Sequence, residues 1–99
     1  MRVELQGELD LGTAEQLEDE LGRVEAEGPE LLVLDLRSLS FLDSTGLRVV
    51  ASADARARDQ GRRMVIVQGP PAVRRVFELT RLDEHLDVVE DPAAIDSGT

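Results

Sequence analysis

The chain has 99 residues, no cysteine, and a net charge of -10 from 21 acidic residues against 11 basic ones, all of them arginine. A chain of this length makes one domain, spanning 1–99, that buries somewhat over ~60% of its unfolded surface and folds without a staple. Disulfides and thiolate metal sites are excluded, and the acidity, together with two phenylalanines and no tyrosine or tryptophan, opposes nucleic acid as a partner.

No window approaches the ~18 apolar residues of a membrane span, and Glu4 interrupts the first residues before an apolar run can form. Neither secretion nor membrane insertion is expected. With no cysteine in use, a cytoplasmic address is expected.

Arg2 to Leu9 alternates Val3, Leu5, Gly7 and Leu9 against Arg2, Glu4, Gln6 and Glu8, the period of a half-covered strand. Leu11-Gly12-Thr13 breaks it, and Thr13 with Gln16 predicts a capping box for a first helix. Ala14, Leu17, Leu21 and Val24 share one stripe of that helix, and Asp19 and Arg23 are spaced to pair at i, i+4. Gly28-Pro29 stops it. Leu31 to Leu36 is a nearly unbroken apolar run, as expected for a short strand covered on both faces in a mostly parallel sheet. Arg37 to Leu42 reads as the turn that follows.

Asp43-Ser44-Thr45-Gly46 supplies side chains suited to a helix start, and the second helix is expected from about Thr45 to Gln60, ending at Gly61. Leu47, Val50 and the alanines 51, 53, 55 and 57 allow it to pack closely, with Arg48, Ser52, Arg56 and Asp59 outward. Arg63 to Gln68 is another buried strand. Gly69-Pro70-Pro71 leads into a third helix with Val73, Val76, Phe77 and Thr80 inward. Leu86 to Val89 predicts a last strand, Asp91-Pro92 the start of a brief final helix, and a tail frayed from about residue 96.

The order is βαβαβαβ plus a short helix, an α/β domain whose mostly parallel sheet has helices packed on it. Parallel strands joined through single helices open every strand-to-helix turn on one edge of the sheet. Asp10 to Thr13, Asp43 to Gly46 and Gly69-Pro70 therefore share a rim, where ligands and partners bind in such sheets.

Ser44 is the candidate centre of that rim. It stands at a helix start where backbone N–H groups are unpaired, a place suited to an anion, although on pattern alone a serine there reads first as a plain cap. The two roles are compatible, because Asp43 can also cap. Asp10 and Thr13 have ordinary roles as turn residue and N-cap. Nucleophilic catalysis needs a base beside the hydroxyl, and the only histidine, His85, is expected in an exposed loop, so no triad is assigned. No carboxylate cluster has metal-ligand spacing, and without lysine no phosphate loop ending in that residue exists. Neither metal nor cofactor is expected, and the protein is read as a non-enzyme.

Gly7-Glu8-Leu9-Asp10 with Thr13, Leu34-Asp35-Leu36, Phe41-Leu42-Asp43-Ser44-Thr45-Gly46-Leu47 and Val76-Phe77-Glu78-Leu79-Thr80-Arg81-Leu82-Asp83 resemble, in order and spacing, the STAS family, the domain shared by sulphate transporters and anti-sigma factor antagonists. The likeness covers almost the whole chain. It implies a bacterial partner-switching regulator of the kind used in stress response and sporulation. The unphosphorylated form binds an anti-sigma factor that is itself a serine kinase, which frees the sigma factor for transcription. Phosphorylation by that kinase blocks binding, and a serine phosphatase reverses it. The resemblance assigns the phosphoacceptor to Ser44, with Thr45 as the neighbouring hydroxyl. The partner-facing surface falls on Asp10, Thr13, Asp43, Ser44, Thr45, Gly46 and Arg48.

The family's additional N-terminal edge strand has no counterpart before Gly7, which leaves the first strand's edge open to pairing with another chain, and the C-terminal helix is short; a monomer or weak dimer is expected. The alternative implied by the family is a constitutive regulatory or structural subunit of another complex, such as a lipid-transport ATPase, with Ser44 as a contact.

Overall fold

A strand pattern gives way to helical period three times along the chain, and each change marks a strand-to-helix unit. The computed structural model, which describes residues 1–96, contains β1 (Arg2–Leu9), α1 (Ala14–Ala26), β2 (Leu31–Leu42), α2 (Ser44–Asp59), β3 (Arg63–Val67), α3 (Pro71–Thr80), a 3-10 turn (Leu82–Glu84), β4 (Val88–Val89) and α4 (Ala93–Asp96). All strand pairings are parallel, and the sheet order is β1-β2-β3-β4. Because the order advances in one direction, right-handed crossovers bring all three connecting helices to the same face.

That face carries the main core. Leu21 of α1, Val50 of α2, and Val73 and Phe77 of α3 close over Leu34, Leu36 and Leu39 of β2 and Ile66 of β3, all essentially inaccessible to water. The opposite face is thinner: Val33, Val65 and Val67 are covered by Ile95 of α4. The central strand is therefore covered on both faces as expected, but only one side is a full helical layer. Beside this patch Asp35 is buried under two arginines, Arg2 at 2.5 Å and Arg37 at 2.7 Å.

Several local expectations are corrected. β2 continues to Leu42, with no turn after Leu36. It pairs with β1 through two register shifts, Glu4/Gln6 against Asp35/Ser38 and Gly7/Glu8 against Leu39/Phe41, and each inserts one extra residue in β2. Leu36, Leu39 and Leu42 thus all reach the core although they are spaced by three, a spacing that disguises a bulged strand. Gly7, at the second shift, has φ 76°, a conformation that L side chains rarely adopt.

Arg23 pairs with Glu20 at 2.5 Å, one helical turn back, and not with Asp19. Ala55 and Thr80 are exposed, because the inner stripe of α2 runs through Leu47, Val50, Ala53 and Ala57 and that of α3 through Val73 and Phe77. β4 begins at Val88, although Leu86 is still buried. Of the tail expected to fray from about residue 96, Asp96 is the last residue of α4 and residues 97–99 lie outside the described residues. Among the described residues no helix is long and apolar enough to cross a membrane.

Candidate functional site

The rim is built where β1 and β2 end side by side. Leu9 is in register with Leu42, and the Asp43 N–H donates to the Leu9 carbonyl at 3.1 Å, so the turns after the two strands begin as neighbours. Gly46 seals the junction: a Cβ there would stand 2.5 Å from Leu9 Cγ and 2.9 Å from the Leu9 carbonyl oxygen. Only a glycine lets the first turn of α2 lie on the end of β1.

Asp43 is the N-cap of α2. Its backbone is extended, and its Oδ1 accepts a hydrogen bond from the Gly46 N–H at 2.9 Å. Ser44 is instead the first helical residue, and it is exposed. The capping role that the sequence allowed to either residue is taken by Asp43, which leaves the Ser44 hydroxyl facing water. Thr45 is half-buried one position inside the helix, and Arg48, one turn beyond Ser44, is exposed.

The neighbouring turn is held by Asp10. Its Oδ1 accepts from Gly12 N–H at 3.0 Å and Thr13 N–H at 3.2 Å. The expected capping box is not formed: Thr13 Oγ1 turns back, donating to the Glu8 carbonyl at 2.9 Å and accepting from Asp10 N–H at 2.9 Å. The Asx-turn of Asp10 satisfies the start of α1, so the threonine is free to brace the end of β1.

Two apolar side chains that sequence reasoning passed over also belong to this region. Leu11, at the tip of the Asp10 to Thr13 turn, is 78% exposed, and Phe41, two residues before the Asp43 cap, is 46% exposed. Leu11 breaks the turn's polar composition, a signal that was available. Phe41 could not be recognised as outward-facing until the bulges in β2 were known.

The perturbed carboxylates lie outside the rim turns. Hydrogen bonds from Arg37, aided by Arg2, hold Asp35 far below the usual carboxylate range. Arg56 lowers Glu25, with Nε to Oε1 at 2.8 Å. Burial raises Asp54 despite its ion pair with Arg58 at 2.9 Å. Arg58 also donates to the carbonyl of His85, which places that exposed histidine at the far end of α2 from Ser44. The rim therefore presents an exposed hydroxyl, carboxylates, two exposed apolar side chains and one exposed arginine.

A profile of the STAS domain matches residues 1–94. The anti-sigma-F factor antagonist RsfB of Mycobacterium tuberculosis is 37% identical over 78 residues, 79% of this chain and 63% of RsfB. The chain thus spans less than two thirds of that relative's length. The crystal structure of an anti-sigma factor antagonist from Mycobacterium paratuberculosis matches with a TM-score of 0.83 at 33% identity, covering 98% of this chain and 82% of that one. The structure of the anti-sigma factor antagonist SpoIIAA in its unphosphorylated form matches with a TM-score of 0.79 at 25% identity over 97% of this chain and 84% of that one.

Proposed function

This chain belongs to the STAS domain family, and on that premise we propose that it is an anti-sigma factor antagonist switched by phosphorylation of Ser44. The whole chain acts as one STAS unit in the cytoplasm. Its unmodified rim, Asp10, Thr13, Asp43, Ser44, Thr45, Gly46 and Arg48 with Leu11 and Phe41, docks on an anti-sigma factor that is also a serine kinase, and so releases the sigma factor. The names of the relatives support this reading.

The observation that carries it is the division of labour between Asp43 and Ser44. Because the aspartate holds the helix start, the serine hydroxyl is exposed and can be modified without loss of the cap. Phosphoryl transfer from ATP forms the Oγ–P bond, breaks the bond from the γ-phosphorus to the β,γ-bridging oxygen, and releases ADP. The hydroxyl proton passes to a base on the kinase, since His85 is at the other end of α2. The product carries about -1.5 to -2 added charges beside Asp43. Charge and bulk inside a closely docked rim cost several kcal/mol of binding, and at ~1.4 kcal/mol per decade that releases the partner without refolding the domain. Hydrolysis by a serine phosphatase restores the hydroxyl.

The test is affinity capture from the native cell with the parent chain, Ser44→Ala and Ser44→Asp, with phosphosites mapped on the recovered protein. An ATP-binding anti-sigma factor retained by the parent and Ser44→Ala but lost with Ser44→Asp, together with phosphate on Ser44, is the expected result. Equal retention of a transporter or scaffold component by all three contradicts it and favours a constitutive subunit.

A further inference from the structure

We infer that Arg48 is the built-in counter-ion of phosphorylated Ser44, closing on the phosphate across the first turn of α2. The inference rests on the reading of Ser44 as the phosphoacceptor and specifies what the modified rim looks like.

Most arginines of the chain are already engaged. Seven of them, at positions 2, 23, 37, 56, 58, 63 and 74, pair with carboxylates, and Arg62 donates to the Glu25 carbonyl at 2.9 Å. Arg48 makes no such contact among the described residues, nor do Arg75 and Arg81, which belong to α3 and its C-cap. Arg48 is thus an exposed cation without a structural task, on the same helix as Ser44 and four residues after it.

That spacing and order carry the inference. Residues at i and i+4 stack on one helix face with Cβ atoms about 5–6 Å apart. A helical side chain leans toward the N-terminus, so Arg48 covers the turn that begins at Ser44. An acid followed by a base four residues on is the favourable orientation, and a guanidinium matches two phosphate oxygens at once. The groups opposing it are carboxylates: Asp43 next to Ser44, Asp10 on the adjacent turn, Glu8 at the end of β1 and Glu15 at the start of α1. A phosphate among them has one cation on its own helix face.

The consequence for the switch is twofold. The modified rim gains negative charge and at the same time loses Arg48 as a cation offered to the partner. A positive group facing outward becomes part of an internal pair.

The experiment uses the 99-residue chain with phosphoserine installed at position 44 during translation, so it needs no kinase. The phosphate is titrated by ³¹P NMR in the Arg48 protein and in Arg48→Gln and Arg48→Lys, while the Arg48 Nε–H resonance is followed with and without the phosphate. The expected result is a second phosphate ionisation about half a pH unit lower with Arg48 than with Arg48→Gln, partly restored by lysine, and an Arg48 Nε–H signal that shifts when the phosphate is present. Coincident titrations with an unmoved Nε–H signal overturn the inference, whichever way the partner binds. Should phosphoserine 44 protein hold the anti-sigma factor as tightly as unmodified protein, the switch itself fails while the titration still decides the pairing.

Discussion

The Asp43 carboxylate accepts the Gly46 N–H at 2.9 Å, so the start of α2 is capped by the residue that precedes Ser44. Helix capping and an exposed hydroxyl are thereby separated between adjacent side chains. A serine that capped its own helix would lose the cap's geometry when esterified, whereas this one has no helix-start hydrogen bond to lose.

The first expected outcome is an asymmetry between neighbours. Asp43→Ala costs about 1 kcal/mol, the usual value of an N-cap, while Ser44→Ala stays within about 0.5 kcal/mol of the parent, as an exposed substitution does. Urea unfolding of the two variants at neutral pH measures it.

Gly46→Ala should be worse than either. The new Cβ would overlap Leu9 Cγ at 2.5 Å and the Leu9 carbonyl at 2.9 Å, and backbone cannot yield cheaply, so a loss of about 1–3 kcal/mol is expected. The same melts measure it, and amide shifts should move in both turns of the rim, because Leu9 links them.

Two buried carboxylates should respond oppositely to pH. Asp35 is depressed chiefly by the hydrogen bonds from Arg37, so its contribution is present above its unfolded pKa of ~3.9 and is lost as pH falls through the folded value. Asp35→Asn therefore destabilises by about 1–3 kcal/mol at pH 7, since both arginines are partly exposed, and by progressively less as pH falls toward 2. Asp54 is raised by burial. A raised carboxylate adds stability below its unfolded pKa and loses it as pH rises through the folded one, so Asp54→Asn should be more stable than the parent at pH 7, with the gain vanishing toward pH 3. Denaturant melts across pH 2–7 distinguish the two.

Leu11 is 78% exposed, and its removal should leave folding untouched. Leu11→Ser is expected to keep the parent's stability within about 0.5 kcal/mol and to weaken capture of the anti-sigma factor about tenfold, the effect of losing one apolar anchor. Paired melting and binding curves test both halves.

The elements legible in the sequence were those with undisturbed period. Ala14, Leu17, Leu21 and Val24 are the buried stripe of α1, as their spacing requires, and the parallel topology that gathers the three turns on one rim follows from the βαβ order. What escaped reading depends on geometry that only the assembled sheet supplies. The second half of β2 is a strand because β1 lies beside it and tolerates two bulges. Thr13 gives up its capping role because Glu8 and Asp10 offer its hydroxyl better partners across the turn. Arg23 selects Glu20 over Asp19, both of which lie within reach on the helix surface. At the site itself, the Asp-Ser-Thr-Gly pattern marks a helix start, but deciding which of its side chains caps required the position of the Gly46 amide.

The most direct test of the switch is a calorimetric titration of the captured anti-sigma factor with this chain carrying serine or phosphoserine at position 44. A loss of affinity of about a hundredfold or more on phosphorylation, with both forms equally folded, is the predicted result. Equal dissociation constants for the two forms would contradict it and leave Ser44 a contact residue of a constitutive complex.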